Sequence, residues 1–172
     1  MLFAHDNMPG AHLAAALVNA AASGIARPAM EELLGEHGIR RPQLTGDQAE
    51  LLGDWSTRLR TVFAAEDQDA RTVAVNALLT VGTTGVYLTT HDGRRPHLHF
   101  TPEDDDIVGR VRAVTAGGLA IFTVESEGER LGTCARTGCR AVFVDTSRNG
   151  RRRYCSARCG NYDAVHRHRS RV

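Results

Sequence analysis

Residues 134–161 read CARTGCRAVFVDTSRNGRRRYCSARCGN, and the chain's four cysteines, Cys134, Cys139, Cys155 and Cys159, all lie within this stretch. Their spacing is C-x4-C-x15-C-x3-C, two close pairs separated by a longer loop. Each pair can span one edge of a tetrahedron while the loop folds back to join the pairs, which suits Zn²⁺. Ala141–Asp145, with Phe143 between valines, reads as a strand. Ser147–Gly150 carries turn chemistry, and Arg151–Tyr154 is expected to return as the partner strand. Cys155 and Cys159, four apart, share one face at the start of a helix expected from Ser156 to His168. Knuckle, hairpin and ligand-bearing helix together make a treble-clef-like finger.

Two disulfides or four free thiols are the competing readings. Met1–Gly10 holds an acid, a proline and a histidine in place of a basic, then apolar leader, so a cytoplasmic location is expected. Disulfides are rare there. Residues 130–172 have few apolar side chains and cannot bury a sufficient core alone. Zinc, worth on the order of 10–16 kcal/mol in zinc-finger peptides, would supply the missing folding energy. Four thiolates close the coordination sphere, so one structural Zn²⁺ per chain is expected.

The net charge of +1 conceals a division. Residues 1–129 hold ten arginines against eighteen Asp and Glu, a balance of −8. Residues 130–172 hold eleven arginines against Asp145 and Asp163, a balance of +9. Segregation of this kind points to a polyanion-binding part joined to an acidic one. With 172 residues, 42% hydrophobic and 24% charged, the chain is expected to hold a globular domain, 1–129, and the finger, 130–172. Glu125–Arg130 is the expected hinge. No run approaches the roughly 18 consecutive apolar residues of a membrane span, so no membrane partner is expected.

The acidic part reads as helices with a small antiparallel sheet, giving an α+β chain overall. Leu13, Leu17, Val18 and Ala21 predict a helix over His12–Ser23, and Pro28 starts a second one bearing Met30, Leu33 and Leu34. Thr45 and Gln48 form a capping box before a helix with Leu51, Leu52, Trp55, Leu59, Val62 and Phe63 on its apolar face. A helix over Asp69–Val81 is expected to bury Val73, Ala74, Ala77, Leu78 and Val81. Val86–Thr90 and His97–Thr101 read as strands joined by a turn at Asp92-Gly93. Thr101-Pro102 is the expected cap of a helix burying Ile107, Val108, Val111 and Val114. Gly117-Gly118 reads as a break, after which Leu119–Val124 is strand or resumed helix.

The run Cys155-Ser-Ala-Arg-Cys159-Gly160-Asn161, its basic helix and the upstream Phe143–Asn149 segment resemble the CGNR zinc-finger family. Proteins of that family usually carry an N-terminal ABATE domain, linked to stress-induced transcription regulation. Leu17-Val18-Asn19 and the His97-Leu98-His99 strand are similar to that domain. The resemblance implies a bacterial transcriptional regulator whose finger binds DNA and whose larger domain senses a small-molecule effector or mediates homodimerisation. One departure stands out: the motif's final Arg is Tyr162 in this chain.

Arg148, Arg151, Arg152 and Arg153 belong to the expected hairpin tip, and Arg158, Arg167, Arg169 and Arg171 to the final helix and its end. These residues are the candidates for nucleic-acid contact, mostly to phosphates. The competing reading is an adaptor whose basic finger docks on an acidic protein or on RNA. His97 and His99 share one side of a strand, and with an Asp from 104–106 they would make a second metal or ligand site. The plainer reading is a solvent-facing strand with Leu98 and Phe100 turned inward. No G-x-S-x-G, P-loop, H-E-x-x-H or zinc-deaminase signature is present, and no enzymatic activity is expected.

Overall fold

A computed structural model describes residues 8–90, 96–102 and 104–169. Five helices form a bundle: α1 (Pro9–Ala22), α2 (Arg27–Glu36), α3 (Gly46–Ala64), α4 (Gln68–Gly82) and α5 (Ile107–Glu125). Between α4 and α5 lies a two-stranded antiparallel sheet of β1 (Tyr87–Thr89) and β2 (His97–His99). A second antiparallel pair, β3 (Leu131–Thr133) and β4 (Val142–Val144), precedes α6 (Ala157–Arg169). The α+β layout expected from the sequence is therefore present.

Local signals explain most helix starts. The Thr45 hydroxyl accepts from the Gln48 N–H at 3.2 Å, and the Gln48 side chain accepts from the Thr45 N–H at 2.9 Å. Asp67 caps α4 through the Ala70 N–H at 2.7 Å, and Asp106 caps α5 through the Gly109 N–H at 2.7 Å. Asp106 thus takes the role expected of Thr101-Pro102, because Thr101 is buried and bonded to Asp105.

The core centres on Leu13, Leu17, Leu52, Trp55, Leu59, Val111, Leu119 and Phe122, all of them buried. The indole N–H of Trp55 donates to the Thr115 hydroxyl at 2.9 Å, which satisfies the one polar atom of that ring in the interior. Helix α5 runs unbroken through Gly117-Gly118, where a break was expected. A Cβ on Gly118 would lie 2.6 Å from the Gly10 Cα, and one on Gly10 would lie 2.3 Å from the Val114 carbonyl oxygen. These glycines let the backbones of α1 and α5 touch. By length and composition α5 could cross a membrane, yet it is a core helix of the bundle, 56% buried.

Two faces differ from expectation. On α4 the buried residues are Arg71, Val75, Leu78 and Gly82, while Val73 and Val81 are 69% and 51% exposed and Ala77 is also exposed. Val114 of α5 and Leu51 of α3 lie at the margins and are exposed. In the small sheet Leu88 pairs with Leu98, and these two are 72% and 46% exposed, whereas His97 and His99 are half-buried. The expected inward face of Leu98 is the outward one. Phe100 alone follows expectation, its ring seated over Gly117. The Asp92-Gly93 turn lies outside the described residues.

The composition changes at residue 130, but the packing continues across it. Leu131, Val142 and Val144 belong to the same core cluster as Leu17 and Leu59. The side-chain amide of Asn19 in α1 pairs with β4 as a neighbouring strand would: it donates to the Val142 carbonyl at 3.0 Å and accepts from its N–H at 2.8 Å. The buried Arg71 guanidinium donates to the carbonyls of Val62 (3.2 Å), Ala65 (2.9 Å), Leu131 (3.3 Å) and Gly128. One side chain thus joins the C-terminal end of α3, the 126–129 turn and β3.

Candidate metal centre and basic surface

The C-x4-C segment folds as a knuckle because the ladder of β3 and β4 closes just beneath it. Leu131 pairs with Val144 and Thr133 with Val142, and the Cys134 N–H donates to the Ala141 carbonyl at 2.9 Å. Gly138 turns the knuckle with φ +79°, a conformation that favours glycine. The partner of β4 is therefore β3, not Arg151–Tyr154 as expected. Leu131, Val142 and Val144 can bury side chains against the bundle. Arg151, Arg152 and Arg153 are exposed and form no strand.

The 145–154 segment is held instead by Asp145. This residue is 2% exposed, and its carboxylate accepts from the N–H groups of Ser147 at 2.9 Å and Arg152 at 2.8 Å. Burial alone would push the Asp145 carboxyl upward, but hydrogen bonds from Ser147 and Arg152 outweigh it and hold the group below its ordinary value. The Ala135 N–H donates to the Arg153 carbonyl at 2.8 Å, which docks the returning chain on the knuckle. Cys155 then sits just before α6 and Cys159 within its first turn. The Cys159 N–H donates to the Ser156 hydroxyl at 3.3 Å.

These constraints bring the four sulfurs together. All lie within 4.8 Å of one another. Cys139 and Cys155 are 3.9 Å apart, Cys155 and Cys159 3.5 Å, and Cys139 and Cys159 4.0 Å. A tetrahedron with metal–sulfur bonds of about 2.3 Å has edges of about 3.8 Å. The separations fit that figure and are far too long for disulfides of about 2.05 Å. All four cysteines are free, and the set suits one structural zinc ion with no open coordination position.

The surroundings of the sulfurs act in opposite directions on the two ligands of α6 and its approach. Hydrogen bonds from Ser156 and then Cys155 lower the Cys159 thiol to about 7. Burial, followed by hydrogen bonds with Cys159 and Cys134, pushes Cys155 up to about 12. The guanidinium of Arg136, within the knuckle, donates to the Cys159 sulfur at 3.7 Å and lies 4.5 Å over the Tyr162 ring. Sequence reading missed Arg136, although its place between two ligands was the available signal.

The expected nucleic-acid contacts separate into groups. Arg148, Arg151, Arg153, Arg158 and Arg169 are exposed on the turn, the returning segment and α6. Arg152 is committed to the fold, for its guanidinium donates to the carbonyls of Tyr154 at 2.9 Å, Val144 at 3.3 Å and Cys155, and lies over Phe143. Arg167 pairs with Asp163 at 3.0 Å. Arg171 lies outside the described residues. The rings of His97 and His99 are 5.0 Å apart, and among the described residues no third ligand joins them.

The sequence model of the CGNR zinc finger matches residues 130–172, the segment that carries all four cysteines. Among curated proteins no relative matches the chain.

Proposed function

We propose that this chain is a DNA-binding transcriptional regulator in which zinc shapes the finger and exposed arginines engage phosphates. The observation that carries this reading is the +9 balance of residues 130–172, with eight arginines of that segment exposed around a metal-ordered fold. A non-enzymatic role accords with the four-sulfur site, which leaves zinc no position for substrate. In this reading residues 1–129 form an ABATE-like domain that senses an effector or mediates homodimerisation. The contact of Asn19 with β4 supports that division of labour, because a shift of α1 would be felt directly in the finger.

The test is duplex-DNA affinity of the zinc-loaded full chain as a function of salt. Each phosphate neutralised adds about 0.9 to the slope of log affinity against log salt. The Arg151→Ala/Arg153→Ala variant is expected to bind more weakly and with a shallower slope. Absence of duplex binding at low salt, or preference for RNA or an acidic protein, would overturn the reading in favour of an adaptor.

A further inference from the structure

We propose that α6 is a recognition helix for duplex DNA, with Arg158 and Asn161 reading base edges in the major groove. The inference rests on the DNA-binding reading above and adds which side of the finger carries sequence information.

Arg158, Asn161, Tyr162, Val165 and Arg169 stand at i, i+3, i+4, i+7 and i+11, so they share one face of α6. All five are exposed. The opposite face is occupied within the finger. Cys159 belongs to the metal centre, and a Cβ on Gly160 would meet the Tyr154 ring at 3.3 Å. Asp163 accepts from the Tyr154 hydroxyl at 2.6 Å and pairs with Arg167. Asp163 is the one acid in α6, and it is turned away from the open face and neutralised. A carboxylate on that face would repel the phosphates it approached. Among the described residues no bundle helix packs extensively against α6, which accords with the exposure of this face.

The chemistry of the face suits base edges better than a featureless polyanion. Arginine matches the two acceptors of guanine, asparagine matches the donor–acceptor pair of adenine, and an apolar side chain such as Val165 suits a thymine methyl. Cations flank this stripe on both sides. A shallow concavity beside the first turn of α6, lined by Arg153, Tyr154, Ser156 and Asn161, supplies one flank. Arg136, held over Tyr162, supplies the other. A stripe of base-reading groups between two phosphate-binding edges is the pattern of a helix in the B-form major groove, about 12 Å wide. The deep, narrow major groove of duplex RNA excludes such a helix.

The experiment is selection of sites from random duplex DNA by the zinc-loaded full chain and its Arg158→Ala, Asn161→Ala and Arg151→Ala/Arg153→Ala variants. Wild type is expected to enrich a short motif. Arg158→Ala and Asn161→Ala should each relax preference at a different position, by about 5- to 150-fold. Their zinc content should be unchanged, because both side chains are exposed. The double variant should keep the motif and lose affinity for all sequences alike. A motif untouched by Arg158→Ala and Asn161→Ala, or binding without any motif, would overturn the role of α6 while leaving DNA binding intact. Failure to bind any duplex would overturn the functional reading itself.

Discussion

At the residue scale, two side chains organise the finger. The buried Asp145 carboxylate satisfies two backbone N–H groups at once. An amide cannot accept equally from both, so Asp145→Asn is expected to cost about 1–3 kcal/mol. The carboxyl is held below its ordinary value, so its contribution is present above the unfolded value of about 3.9 and is lost as pH falls through the folded one. The stability difference between wild type and Asp145→Asn, followed by denaturant melts, should therefore shrink at acid pH. A difference that stays constant down to pH 2 would contradict this. Arg136 acts on the metal centre from outside, through the Cys159 sulfur. Its replacement by alanine should weaken zinc binding about ten-fold or more in a chelator competition, because a thiolate loses its nearest cation.

At the element scale, the closest fit is between α1 and α5. Gly10 and Gly118 meet backbone to backbone, and a Cβ at 2.6 Å from the facing Cα forces the helices apart. Gly118→Ala is expected to destabilise by about 1–3 kcal/mol, read as a lowered Tm, and Gly118→Val by more. An unchanged Tm would mean that the contact is not tight. The same pair explains why Gly117-Gly118 reads as a break in isolation. Glycine costs about 1 kcal/mol in a helix interior, and only the neighbouring helix offsets that penalty. On α4, Val73, Ala77 and Val81 make a plausible apolar row by spacing, yet the row facing the core runs through Arg71, Val75, Leu78 and Gly82. Gly82 is buried because the Trp55 ring lies over it, and Arg71 because four carbonyls receive its guanidinium. Neither residue signals burial by its own polarity.

At the scale of the whole molecule, acidic bundle and basic finger share one interior. Leu131, Val142 and Val144 cover α1 and α3, so the metal centre supports more than the segment that contains it. Chelation of zinc is expected to lower the melting temperature of the bundle as well as unfold β3, β4 and α6. Calorimetry would record one coupled transition where independent parts would give two. Arg71→Met should act in the same direction from the other side, since it removes four hydrogen bonds, two of which reach Gly128 and Leu131 at the junction. A bundle melting unchanged after chelation would refute the shared core.

The four ligands were legible from spacing, because within each pair the geometry is local: one knuckle and one helical turn set the sulfurs side by side, while the β3–β4 ladder and Asp145 bring the two pairs together. The start of α3 was legible for the same reason, since Thr45 and Gln48 act within four residues, whereas α5 starts at the Asp106 cap and not at Thr101-Pro102. The pairing of β4 with β3, the unbroken α5, the phase of α4 and the outward Leu88 and Leu98 were not legible. Each depends on which surface a distant element presents, and burial is a property of two partners where periodicity describes only one. The charge boundary at residue 130 can be read along the chain, but the absence of a matching boundary in the packing exists only once Asn19 and Arg71 reach β4 and β3.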